Sequence, residues 1–149
     1  MSTPIPPSIV EFIQQHHVVS ITACHEQQCW AASCFYAFDE ARQRLILLTK
    51  SSTRHGQLMQ KNPRIVGTIA GQPTHIREIE GIQFSATATL LTKKQDQLPA
   101  CECYYQRHPA GKLIPSEVWE IKLDYIKHTS NKAIFAQKTE WHRNEKAAS

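Results

Sequence analysis

The chain lacks long apolar runs, paired cysteine motifs and any concentrated block of charge, and each absence removes a class of function. Its longest apolar stretches fall far short of a membrane span. The opening MSTPIPPSIVEF has neither a basic region nor a signal-type apolar core, so no membrane association and a cytoplasmic location are expected. Five cysteines is an odd number, and Cys24, Cys29, Cys34, Cys101 and Cys103 match no disulfide framework of a small secreted protein, so reduced thiols are expected. No C-x-x-C pair accompanies the His16, His17 and His25 cluster, which disfavours zinc. Cys101 and Cys103 would point to different faces of a helix, against a chelate or a vicinal redox pair. The net charge of +4 is spread along the chain, a weak preference for anionic ligands that lacks the basic stripe of a nucleic-acid binder. Neither Ser-His-Asp nor paired-carboxylate catalysis has a local signature.

What is present suffices for one domain, since a chain of 149 residues buries roughly 68 to 70% of its extended surface on folding. Ser8 to Glu11 has the form of a capping box, and Ile9, Phe12, Ile13 and His16 recur at helical spacing, predicting a short opening helix. HVVSITAC and CWAASCFYAF, 17–24 and 29–38, read as two antiparallel strands around a polar turn. Leu45 to Leu48 is a buried strand, Gln57 to Lys61 a short helix stopped by Asn62 and Pro63, and RIVGTIA a further strand ending at Gly71-Gln72-Pro73. Strands are also predicted over 81–91 and in VWEIKLDYIKHT, where Trp119, Ile121, Leu123 and Tyr125 share a face. A helix is predicted from about Pro99 to His108, and a weaker strand over 134–141. Six or seven strands with hairpin-length connections make the fold mainly β, a small β-barrel with peripheral helices.

The sharpest local signal is the run Thr49, Lys50, Ser51, Ser52, Thr53, Arg54, His55, which holds hydroxyls and bases and no acid. It lies where a strand gives way to a helix N-terminus, whose dipole already disfavours each cation by roughly 0.3 to 1 kcal/mol. Backbone N–H groups, hydroxyls and a guanidinium in such a place suit a phosphate. The plainer reading is that Ser52 or Thr53 caps the helix while Lys50 and Arg54 point into water.

LILLTKSSTRHGQLMQKNPRIVGTI resembles the strand, loop, helix and strand of the FMN-binding split barrels related to pyridoxamine 5'-phosphate oxidase, and the strand order fits that family across nearly the whole chain. Closer still, TRH, GIQF, VWEIKLDYIKHT and a final tryptophan resemble a YhbP-like subfamily of small bacterial proteins. The resemblance implies an FMN-binding split barrel that is a homodimer with FMN at the subunit interface. Thr49, Lys50, Thr53, Arg54 and His55 would then surround the flavin phosphate, with His55 where the family usually has Lys. Trp30, Ala31, Ala32 and Ser33 would lie along the isoalloxazine ring, Gln83 would present an amide to it, and Thr129 and Asn131 would reach the partner's flavin. The arginine and histidine with which the oxidase grips its substrate are not recognisable, which disfavours pyridoxamine phosphate oxidation.

The residues and the resemblance together support two readings. One is an FMN-dependent oxidoreductase that takes a small-molecule redox substrate or donor, with no side chain assigned to catalysis. The other is a non-catalytic split barrel that carries haem, a phosphorylated metabolite or flavin. A third, RNA binding, would need stacking aromatics on an exposed strand face.

Overall fold

The structure is a computed structural model that describes residues 2–144. Helix α1, Pro7–Gln15, buries Ile9, Phe12 and Ile13, as its spacing predicts. The capping box does not form. Pro6 is the N-cap and its carbonyl accepts from the Ile9 and Val10 N–H groups, because a proline already sets the helical φ at the first position and leaves Ser8 inside the helix.

Strands β1, Val18–His25, and β2, Gln28–Phe35, form a hairpin closed by Glu26 and Gln27, at φ 48° and 66°. This is the left-handed backbone that a two-residue hairpin turn demands. The turn pairs Cys24 with Cys29, Cα atoms 4.2 Å apart, and their sulfur atoms are joined as a disulfide. That corrects the expectation of five reduced thiols: Cys34, Cys101 and Cys103 are free and the other two are bonded. The signal was in the spacing, since residues placed symmetrically about a two-residue turn face each other across the hairpin.

The expected second strand is broken. β2 ends at Phe35, Tyr36 turns the chain, and β3, Ala37–Asp39, pairs with β4, Arg44–Leu48. Tyr36 is held on three sides: its N–H donates to the His17 carbonyl, its carbonyl accepts from His108, and its hydroxyl donates to the Ile13 carbonyl. Helix α2, Arg54–Lys61, is followed by β5, Arg64–Ala70, and β6, Glu80–Leu90. Helix α3, Lys94–Arg107, starts earlier than predicted and carries Pro99 inside it, with buried Ala100 and Tyr104 holding it to the sheet. β7, Val118–Ser130, and β8, Gln137–His142, complete the chain, and Ile134 and Phe135, expected in the last strand, are exposed in the turn before it.

The eight strands, against six or seven expected, make one antiparallel sheet in the order β2-β1-β5-β6-β7-β4-β3, with β8 on the remaining edge of β7. The two ends of that path, β2 and β3, are consecutive in the chain, so the sheet curls around one core of Phe12, Ile21, Leu47, Phe84, Trp119 and Trp141 among others. This is a mainly-β split barrel with few helices. No helix among the described residues is long and apolar enough to cross a membrane.

One irregularity changes which side chains reach the outer face of the sheet. Ser85 pairs with Tyr125 but Ala86 pairs with Leu123, so Asp124 is an extra residue in β7, a bulge whose carboxylate accepts from the Thr87 hydroxyl at 2.8 Å. A bulge reverses the alternation of side chains beyond it. Trp119, Ile121 and Leu123 face the core as expected, and past the bulge Ile126 and His128 do so, while Tyr125 moves to the outer face.

Candidate functional site

The loop after β4 is fastened before it begins to turn. The Thr49 N–H donates to the Glu117 carbonyl at 3.0 Å, and its carbonyl accepts from the Trp119 indole at 3.1 Å. Thr53 is the N-cap of α2, with its hydroxyl accepting from the Gly56 N–H at 3.0 Å and donating to the Lys50 carbonyl at 2.8 Å. The helix therefore starts at Arg54 rather than Gln57, and Arg54 and His55 lie in its first turn. The loop folds back so closely that a Cβ on Gly56 would stand 2.5 Å from the Lys50 carbonyl oxygen and 2.9 Å from Ser51 backbone atoms. Only glycine leaves room for that approach.

His55 turns inward. Its Nε2 is 2.8 Å from the Thr49 hydroxyl and 3.2 Å from that of Thr53. Burial lowers its pKa from an ordinary imidazole value, so the ring is neutral near pH 7 and adds no positive charge to the loop.

The acid missing from the local sequence comes from elsewhere in the chain. Glu117, just before β7, accepts through one carboxylate oxygen from both the Ser51 N–H and hydroxyl at 2.8 Å, and its second oxygen lies 3.0 Å from the same hydroxyl. The backbone bond from Ser51, then the hydroxyl, then the charge of Lys50 hold this carboxyl below its usual range, and it is ionised at neutral pH. Glu117 spends its hydrogen bonds on a neutral serine and forms no ion pair among the described residues. Among the described residues, Lys50 and Arg54 are exposed and have no acidic partner.

Arg54 instead lies over Trp30, its Cζ 4.1 Å from the ring centroid. Such a contact is worth about 0.5 to 1 kcal/mol at an exposed site. It joins the loop to β2, and Trp30 stays 46% exposed. The strand presents its residues alternately: Ala32 packs toward the core, whereas Ala31 and Ser33 are on the outer face. Beside Trp30 and Ala31, with Cys29 and Thr22, lies a groove of about 360 Å³. Thr22 also borders a second groove of about 400 Å³ in which Gln83, Ser85 and Tyr125 meet Ser20, Val66 and Thr68 across β1, β5 and β6. Gln83 thus shares one outer surface with Ala31 and Ser33, while Trp30, paired with buried Ala23, borders that surface from the other side of the edge strand.

Thr129 and Asn131 are not there. Thr129 pairs with Gly81, five residues along β6 from Ala86, which is in register with the Trp30 end of the sheet; the separation is roughly 16 Å along the strand. Asn131 is occupied in turn-building, donating to the Ile76 carbonyl and accepting from the Ala136 N–H.

Four residues here escape a reading of the sequence. Gly56 could have been found, since a glycine just inside a helix N-terminus is costly without a packing reason. Glu117, Trp119 and Tyr125 reach the site through strand register and a bulge.

No family model matches this sequence. A UPF0306 protein of Haemophilus ducreyi is 53% identical over 141 residues, covering 94% of this chain and 97% of that protein. The chain belongs to the UPF0306 family. Further UPF0306 relatives include one from Yersinia enterocolitica, 42% identical over 92% of both chains, and YhbP of Salmonella arizonae, 35% identical over 94% of this chain and 95% of its own. Among solved structures, a haem-binding protein from Mycobacterium smegmatis superposes with a TM-score of 0.73 at 13% identity, over 93% of this chain and 59% of that one. A FAD-binding protein from Mesorhizobium loti gives 0.69 at 10% identity, over 86% and 95%. A Listeria innocua structure named for pyridoxamine 5'-phosphate oxidase gives 0.64 at 12%, over 81% and 94%. At these identities the likeness establishes the split-barrel fold of this UPF0306 chain.

Proposed function

We propose that this UPF0306 protein binds FMN, with the phosphate on the loop 49–55 and the ring on the outer face of β2, at the interface of a homodimer. The observation that carries the reading is the Arg54–Trp30 contact, which places a guanidinium that has no acidic partner among the described residues beside an exposed aromatic ring and a groove. The residues present fit a phosphate arm: Lys50 and Arg54 supply charge, and the curled loop supplies serine and threonine hydroxyls. They fit a flat ring as well, since Ala31, Thr22 and Ser20 leave the outer face of the sheet low. Flavin names among structures of the same fold support the cofactor class. Thr129 and Asn131, distant from the loop within one chain, would meet it across a dimer. FMN, when bound, would supply hydride and electron transfer, and the protein contributes binding and orientation.

The test is the visible spectrum of the protein after FMN addition and desalting, with light scattering alongside. A retained flavin spectrum and twice 17.0 kDa are expected. Flavin that washes away completely would remove the reading, and a monomer that holds FMN would remove the composite site.

A second reading, a carrier that performs no turnover, is favoured by the make-up of the larger groove. Among the described residues its only titratable lining group is Tyr125, whose phenol is held above its ordinary pKa by desolvation and by donation to Glu140 at 3.0 Å. Haem is then a competing ligand, as in the haem-binding protein of the same fold. NADH or NADPH oxidation by the flavin-loaded protein decides between enzyme and carrier, and a Soret band shifted from that of free haem and retained after desalting identifies the haem carrier.

A further inference from the structure

We infer that Glu117 is the positioning residue of the anion loop: its carboxylate latches Ser51 and so sets the curvature of 49–55, while its charge weakens the loop's grip on the anion. This rests on the reading of that loop as a phosphate site.

The backbone of Glu117 is held by the sheet, because Leu48 pairs with Val118 and the Thr49 N–H continues the ladder to the Glu117 carbonyl. Trp119 fixes Thr49 from the other side through its indole. The side chain therefore projects from a rigid base into a loop whose other closures are Thr53, which bonds the Lys50 carbonyl with both its N–H and its hydroxyl, the His55 ring on the Thr49 hydroxyl, and the Gln57 amide on the Ser52 carbonyl; none of these holds Ser51 itself. Ser51 lies between these anchors. The first turn of α2 depends on where it sits, since the Gly56 Cα already faces the Lys50 oxygen and the Ser51 backbone at the limit of contact. A loop that swings outward at Ser51 carries Lys50 away from Arg54 and separates the two cations.

The charge works the other way. With His55 neutral, the loop holds Lys50 and Arg54 against the one carboxylate of Glu117. A bound phosphate meets a positive site reduced by about half. Position and charge can be separated, because both 2.8 Å bonds from Ser51 end on the same oxygen of Glu117. A glutamine carbonyl can accept both, so Glu117→Gln keeps the latch and removes the charge, whereas Glu117→Ala removes both.

The experiment titrates the full-length protein and the two variants with FMN and, separately, with inorganic phosphate, and follows amide exchange at Ser51 without ligand. Glu117→Gln is expected to keep Ser51 protection and to bind FMN roughly 2- to 5-fold more tightly. Glu117→Ala is expected to lose that protection and to bind about 10-fold more weakly. Tighter binding by both variants would overturn the inference and make Glu117 a competing anion. Unchanged binding by both, or Ser51 protection that survives in Glu117→Ala, would also overturn it. If the wild type takes neither FMN nor phosphate while Ser51 protection shows the expected pattern, the binding reading fails and the latch is a folding contact only, which removes the positioning role. Should Glu117→Ala fail to fold, weaker binding or lost Ser51 protection in Glu117→Gln alone would suffice to reject the assignment.

Discussion

Two regions of the barrel bring acids and bases together, and they dispose of the charge differently. At one end, a cleft of about 610 Å³ lies over Phe12 and His16 and is edged by Arg77, Glu80 and Lys132. There Glu80 accepts from Lys132 at 2.9 Å and from His128 at 2.8 Å. Burial raises the Glu80 pKa, and the two hydrogen bonds outweigh it, leaving the carboxyl below its ordinary value. Glu80 thus pairs with both Lys132 and His128. At the other end, Glu117 is bonded to a neutral serine, and among the described residues Lys50 and Arg54 form no ion pair, so the Glu117 charge acts on them only from a distance. The central carboxylate of the larger cleft is therefore spent on ion pairs, and that of the loop end on a neutral serine. For an anionic ligand, cations free of ion pairs and held against rigid backbone are a more telling feature than volume.

Substitutions at each end should part stability from binding. Gly56→Ala acts on both, because the new methyl meets backbone on two residues and the loop must move: a stability loss of about 1 to 3 kcal/mol in chemical denaturation, together with loss of FMN binding, is expected. Normal FMN affinity in that variant would mean that the curl of the loop is irrelevant to the ligand. Arg54→Glu should act on binding alone. It removes a charge-assisted bond worth about 1.5 to 3 kcal/mol, so FMN affinity should fall roughly 10- to 100-fold by titration. The ligand-free melting point should hold, because the lost contact with Trp30, about 0.5 to 1 kcal/mol, is offset by an acid in place of a base at a helix N-terminus, about 0.3 to 1 kcal/mol per charge. A variant that unfolds would make Arg54 structural.

Glu80→Ala should do the opposite. It leaves His128, 8% exposed in its side chain, without its partner, at a cost of about 1 to 3 kcal/mol in denaturation, and FMN affinity should change less than in Arg54→Glu. A large affinity loss there would erase the contrast between the two ends. The smallest effect is in pH. His55 has a folded pKa below its unfolded value, so the unfolded chain binds more protons in that interval and stability rises with pH. The contribution is present above the unfolded value of about 6.5 and is lost as pH falls below it toward the folded value. A shallower stability slope in His55→Gln is expected across that window; an unchanged slope would place the ring in solvent.

The sequence was most legible where the physics is local. Thr53 and Arg54 could be placed at a strand-to-helix junction because capping acts across three residues, and the β-rich runs could be recognised because alternation is a nearest-neighbour property. The breaks came where distant contacts override local pattern. Tyr36 interrupts an unbroken apolar run because His17, His108 and Ile13 bind it from three directions, and Pro99, a natural start signal, sits inside α3, where the buried Ala100 and Tyr104 hold the helix to the sheet.

By itself, the sequence determined a mainly-β domain with a strand, a hydroxyl-rich basic loop and a capped helix, since these arise from side-chain pattern and short-range hydrogen bonding. Tertiary structure decided what that loop faces. Glu117 reaches Ser51 only because β7 lies beside β4 in one register, and Tyr125 turns to the outer groove only because Asp124 is left over as a bulge. Arg54 meets Trp30 because α2 packs on the first hairpin. Strand register is fixed by the total burial of the sheet, a sum over both partners, and no short stretch of either strand contains it.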